Sequence, residues 1–158
     1  MIDDIVDFTR KQYDPQLDHD NEPAEIAIFE YLQRTPGIFA VVRFPFGRKD
    51  IDLAYETADC DHLWGAEVEW RKKWWPEQDE TFQWDPIRVP LRKLRLAQHY
   101  REHMIYYGVR ADLRRAYTFT GLDILAGIKG KIGPHVGGDE DEGFVSLPEC
   151  KPVYVELA

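Results

Sequence analysis

Two short segments of this 158-residue chain carry carboxylates at alternate positions. In DIDLAYE these are Asp50 and Asp52; in AEVEWRK, Glu67 and Glu69 are followed at the same spacing by Arg71. In an extended strand, residues i and i+2 share a face. The first segment then turns Asp50 and Asp52 one way and Ile51, Leu53 and Tyr55 the other. The second turns Glu67, Glu69 and Arg71 one way and Val68 and Trp70 the other. If the two pair as neighbouring antiparallel strands, up to four carboxylates and an arginine gather on one patch of a sheet face. Anions so close raise one another's pKa, and the patch is costly without a cation. Hard oxygen ligands at this density suit Mg²⁺ or Mn²⁺. The alternative is a solvated polar face at a sheet edge, a common fate for alternating acids.

The elements that must position these residues can be read around them. Ile2 to Tyr13 has the pattern of a short amphipathic helix ended by Asp14-Pro15, an extension ahead of the core. Asn21-Glu22-Pro23 reads as an N-cap with proline in the first turn. The helix it opens runs to about Arg34, with Ala24, Ile28, Tyr31 and Leu32 as its apolar stripe, and Thr35-Pro36-Gly37 stops it. Strands are expected over Ile38–Phe46, Asp50–Thr57 and Leu63–Trp70, the last two joined by a hairpin loop at Ala58–Asp61. A loop with aromatic insertions covers Pro76–Pro86, and a short basic helix Leu91–Arg101. Two further strands follow at Met104–Val109 and Ala116–Thr120, then a helix at Leu122–Ile128. The acidic, glycine-rich stretch 130–143 reads as a mobile loop, and Phe144–Leu157 as extended chain. The sum is one α/β (α+β) domain over 1–158, a central mixed sheet flanked by helices.

Charge sharpens the picture. The chain has 29 acidic and 20 basic side chains, a formal net charge of −9, which at face value argues against nucleic acid. The stretch from Pro86 to Arg115, however, holds eight basic residues against Glu102 and Asp112, a net +6, and leaves −15 for the remainder. An acidic body with one basic segment is a different object from a uniformly acidic protein.

In this order of elements the sequence resembles the PD-(D/E)XK nuclease superfamily, with its restriction-endonuclease-like fold. The Asp-bearing strand is KDIDL and the second motif strand is GAEVEWRKKW. DPIRVPLRKLRL and YYGVRADLRRAYTF resemble a phage and virus branch of that superfamily, and the likeness spans roughly residues 21–120. The resemblance implies Asp52 as the motif aspartate, with Asp50 as the competing choice. The second motif is either Glu67-x-Glu69, with glutamate where lysine is usual, or Glu69-x-Arg71, with arginine there. Glu25 on the first helix matches a supporting acid of the family. These residues imply metal-assisted phosphodiester hydrolysis, with Asp52, Glu67, Glu69 and Asp50 as ligands to Mg²⁺ or Mn²⁺. Arg71 stays protonated and so cannot act as a base, although it can steady a developing phosphorane charge. Arg88, Arg92, Lys93 and Arg95 are the expected phosphate contacts on DNA.

The remaining features rank lower. Trp64, Trp70, Trp74, Trp75 and Trp84 are expected to serve mainly as core or loop packing, one or two of them free to stack on unpaired bases. His62, His99, His103 and His135 lack zinc spacing, and Ser146 lacks a nucleophile motif. Two distant cysteines, Cys60 and Cys150, make no disulfide framework, and no apolar run is long enough for a membrane span. The start MIDDIVDFTRK has no signal-peptide pattern, so a cytoplasmic place is expected, in a host cell if the chain is phage-encoded. The leading expectation is a Mg²⁺-dependent deoxyribonuclease of phage or mobile-element type that could act as a homodimer. The alternatives are a non-catalytic protein on the nuclease fold that binds nucleic acid or a protein, and an acidic mimic of DNA.

Overall fold

A computed structural model of the chain describes residues 15–44, 51–131 and 143–158. The expected N-terminal helix Ile2–Tyr13 and Asp50 lie outside these residues, as does most of the acidic 130–143 stretch. Helix α1 spans Pro15–Arg34 and strand β1 Ile38–Arg43. The helix is longer than expected, because Asn21-Glu22-Pro23 lies within it rather than at its start. A proline inside a helix removes one backbone donor, and here Asn21 spends its side chain on the sheet instead of on a cap (below). The stripe Ala24, Ile28 and Leu32 is fully buried, as its spacing requires.

Strands β2 (Leu53–Thr57) and β3 (Cys60–Trp70) make an antiparallel hairpin, with β1 on the outer side of β2. Strand β5 (Met104–Val109) then pairs with β3 in parallel, Glu67 opposite Tyr106 and Glu69 opposite Gly108. Parallel neighbours need a crossover. Here it comprises a loop, strand β4 (Ile87–Pro90), a 3₁₀ turn over Leu91–Lys93 and helix α2 (Leu94–Tyr100). Strands β6 (Arg115–Thr120) and β9 (Val153–Glu156) complete a mixed sheet in the order β1-β2-β3-β5-β6-β9. Helix α3 (Gly121–Leu125) opens with a capping box between Thr120 and Asp123. After it, β7 (Ile128–Lys131) and β8 (Gly143–Leu147) join β4 in a second, three-stranded sheet, β4-β8-β7. Strands β4 and β7 have no counterpart in the sequence reading. Each has four residues, and their pairing with β8 is long-range, so no local period announces them.

The fold is thus a single α+β domain in layers. Helix α1 covers one face of the six-stranded sheet, over Leu53, Tyr55, Ala66, Val68, Tyr107 and Ala116. Helices α2 and α3 and the small sheet cover the other, over Ala54, Met104, Tyr106, Tyr117 and Phe119. Glu67, Glu69 and Arg71 project from this second face, while Val68 and Trp70 belong to the α1 side, as the alternation requires. One part of the expected pattern fails. Ile51 packs in the opposite core from Leu53 and Tyr55, because residues 51–52 form a bend ahead of β2 rather than part of it.

Gly108 is a fixed point of this face. A Cβ there would fall 2.0 Å from Cζ of Tyr117, its cross-strand partner. Tyr117 cannot retreat, since it is 0% exposed and stacks on Trp75 and Phe119. Gly108→Ala is therefore expected to cost about 1–3 kcal/mol. In thermal melts that is a drop of roughly 2–4 °C for each kcal/mol; an unchanged Tm would contradict the packing.

Candidate active site

Where β2 ends, β3 continues without a strand neighbour on that side, and side chains take the neighbour's place. The ladder stops at Leu53 opposite Ala66. The next outward-facing amide, that of Val68, donates to the Asp52 carboxylate at 2.8 Å. The Asn21 amide nitrogen donates to the Val68 carbonyl at 2.9 Å, and its oxygen accepts from the Trp70 N–H at 2.9 Å. Asn21 thus mimics a strand's backbone at this edge. It also donates to Glu25 at 3.0 Å, and Glu25 accepts from Arg43 Nε at 3.3 Å. Glu25 is one of two buried charged residues among those described. Its bonds place it behind the Asp52 strand end, on the α1 side.

The other buried charge is Glu67, 1% exposed. Lys93 Nζ donates to Glu67 Oε1 at 3.0 Å, and the Asp52 side chain is a hydrogen-bond partner of the same carboxyl group. Burial first, and then the neighbouring Asp52 charge, push the Glu67 pKa well above the ordinary carboxyl range, against the lowering effect of Lys93. For Lys93, burial alone would favour the neutral amine. The Glu67 and Asp52 charges outweigh it and hold the ammonium above its ordinary pKa. One ammonium thus faces both carboxyl groups, and its charge offsets theirs where three ionisable groups sit against a core.

Glu69 belongs to a second unit. It accepts from the Tyr106 hydroxyl at 2.6 Å and pairs with Arg71 Nη1 at 3.1 Å. Arg71 also donates from Nε to the Tyr117 hydroxyl at 2.9 Å and from Nη2 to the Arg88 carbonyl at 3.1 Å. Its guanidinium lies over the Phe82 ring. With all three nitrogens engaged, Arg71 holds Glu69 in place. The expected four-carboxylate patch is therefore corrected: Asp52 and Glu67 meet, Glu69 turns to Arg71 and Tyr106, and Asp50 is not described. Among the described residues no three His, Cys, Asp or Glu side chains converge as a metal cage.

The basic segment divides as well. Lys93, Leu96, Ala97 and Tyr100 lie at i, i+3, i+4 and i+7, and this stripe faces the sheet, with Leu96, Ala97 and Tyr100 buried. Lys93, expected among the phosphate contacts, thus turns inward to pair with Glu67. Arg95 is exposed and Arg92 partly so. Arg88, on β4, is exposed with its guanidinium over the Phe144 ring at 4.8 Å. Farther along, Trp75 is buried while Trp74 and Trp84 stand 52% and 55% exposed, edge to face at 5.0 Å. No helix among the described residues is long and apolar enough to cross a membrane.

The chain matches no family model, no curated protein and no solved structure. The arrangement of the side chains is then what speaks for function. Sequence reasoning singles out Asp52 and Glu67 but misses the inward role of Lys93 and the bonds of Tyr106, Tyr117 and Asn21. The stripe spacing through Lys93 and Tyr100 is the one signal that could have found the lysine.

The raised Glu67 pKa sets a pH dependence. A group that keeps its proton to higher pH when folded stabilises fully below its ordinary value near 4.5. That stability is lost as pH rises through the folded value. Gln imitates the protonated form, so Glu67→Gln is expected to raise Tm at pH 8 and to leave it nearly unchanged at pH 4. Equal shifts at both values would contradict it. Lys93→Ala leaves the two acids without their cation and is expected to lose about 3 kcal/mol in denaturant titrations at neutral pH.

Proposed function

We propose that the protein is a metal-dependent DNA nuclease that hydrolyses phosphodiester bonds, with Asp52, Glu67 and Lys93 as its centre. One observation carries this reading. Three ionisable side chains, from the bend before β2, from β3 and from the crossover, meet where folding alone gains little from them, and a buried carboxyl group with a perturbed pKa marks functional sites. The order α1-β1-β2-β3, a crossover through α2, and a parallel β5 supports the restriction-endonuclease-like reading of the fold. In that reading Lys93, carried on the crossover, supplies the lysine that the second motif lacks.

The residues fit a divalent cation of the Mg²⁺ or Mn²⁺ kind. Such ions are commonly held by one or two carboxylates, with waters and substrate phosphate completing the shell. Asp52 and Glu67 would provide the two carboxylates. A cation there supplies Lewis-acid polarisation of the phosphate and lowers the pKa of water. Lys93 keeps Glu67 oriented and presents positive charge where negative charge develops on phosphorus. Tyr106 and Arg71 hold Glu69 beside the centre, within the same row, as a candidate acceptor for a proton. Arg95, Arg92 and Arg88 supply cationic contacts to the DNA backbone without reading sequence.

Asp52→Ala and Glu67→Ala are expected to lower Mg²⁺- or Mn²⁺-dependent cleavage of plasmid or single-stranded DNA by at least about 100-fold. Arg95→Ala is expected to weaken DNA binding and to reduce its salt dependence by about one counterion. The close pairing of Lys93 with Glu67, and of Arg71 with Glu69, also suits a protein that keeps this fold and binds without cutting. Salt-dependent DNA binding with no cleavage in either metal would favour that second reading. Absence of binding at low salt would reject both.

A further inference from the structure

The inner stripe of α2 ends on a group that the site described above does not use. Tyr100 is 5% exposed, and its hydroxyl is fully buried without a hydrogen-bond partner. A buried hydroxyl left unpaired is costly, and buried polar groups nearly always find a partner. The other unpartnered buried groups among the described residues lie elsewhere. Trp64 and Trp70 pack on the α1 side of the sheet, Thr57 sits at the far end of β2, and Arg43 is beside Glu22 and Glu25.

Tyr100 is placed by β3 itself. A Cβ at Gly65 would come within 3.1 Å of both Cε1 and Cζ of the phenol. The hydroxyl-bearing end of the ring therefore lies against the one position of this β3 face that lacks a side chain. Gly65 and Glu67 are two residues apart on the same face, and Lys93, just ahead of α2, and Tyr100, two turns on, belong to the stripe that faces them. Burial, and after it the Glu67 charge, push the phenol pKa up, so the hydroxyl remains a proton donor across the neutral range.

We propose that Tyr100 is a positioning residue of the Asp52–Glu67–Lys93 centre. Its hydroxyl donates a hydrogen bond to an oxygen that enters beside Glu67, either a water of the cation's shell or a non-bridging phosphate oxygen. The inference rests on the metal-dependent reading above. Gly65 leaves the phenol its seat, since a Cβ there would crowd both the ring and the Ile51 side chain.

The test is Tyr100→Phe in the full chain, read by thermal melt and by Mn²⁺ titration followed by electron paramagnetic resonance. The titration is run with and without a phosphorothioate oligonucleotide that resists cleavage, and Asp52→Ala serves as the control that removes the site. Loss of a hydroxyl without a protein partner should leave Tm unchanged or higher. Mn²⁺ affinity should fall about five- to tenfold, the effect of one hydrogen bond. A fall with Mn²⁺ alone identifies the water; a fall seen only with the oligonucleotide identifies the phosphate oxygen. Unchanged affinity in both arms, in a variant that melts like the parent, overturns the role of Tyr100 while leaving the metal site standing. A Tm lowered by several degrees with unchanged affinity overturns it too, since the hydroxyl would then be structural. A parent chain that binds no Mn²⁺ in either arm overturns both this inference and the reading it rests on.

Discussion

The organising constraint is the cost of a carboxyl group held 1% exposed between a sheet and a helix. An isolated carboxylate in such a place is penalised by far more than a domain's net stability. Glu67 is tolerated because the Asp52 side chain and the Lys93 ammonium lie against it as partners. Each of those partners depends on a separate structural decision. Asp52 is available because the chain bends before β2. Lys93 is available because the crossover to β5 lays α2 over β3. The apolar surroundings of this face, Met104, Tyr106 and Tyr117 among them, make the carboxyl group's state sensitive to what comes near it.

The row of acids on β3 is in fact two units of different character. Glu67 lies deep, against Asp52 and Lys93. Glu69, two residues on and 35% exposed at its side chain, is fixed by a tyrosine and an arginine that is itself fully bonded. The first unit is a buried cluster of opposite charges, whereas the second is braced against movement. The parallel register that sets Gly108 beside Glu69 makes room for Tyr117 to cross β5 and reach Arg71.

Much of this was legible in the amino-acid sequence. The alternation of AEVEWRK correctly sorts Glu67, Glu69 and Arg71 from Val68 and Trp70, since an eleven-residue strand holds its period. The strand Met104–Val109 is legible to the residue, being rich in β-branched and aromatic side chains. What could not be read locally was whatever depends on distant chain. Strands β4 and β7 are too short to show a period and exist through β8. Asp52 looks like a strand residue in DIDLAYE but serves from a bend, because the β2–β3 ladder ends at Leu53. Asn21-Glu22-Pro23 carries every local mark of a helix start, yet the demand for a partner at the β3 edge outweighs that preference. Lys93 was counted with its basic neighbours because charge runs are read along the chain, whereas a helix distributes them around an axis.

The bonds from Asn21 to Val68 and Trp70 have a consequence for how the molecule behaves among its own copies. A strand that outruns its neighbour exposes a row of backbone donors and acceptors, which is a template for another chain to add a strand. Here the stretch is Val68 to Trp70, whose outward backbone groups already have side-chain partners. By filling the row with one amide side chain and one carboxylate, α1 and the bend at Asp52 keep that margin closed to intruding backbone. The same contacts that shape the site thereby guard it against misassembly.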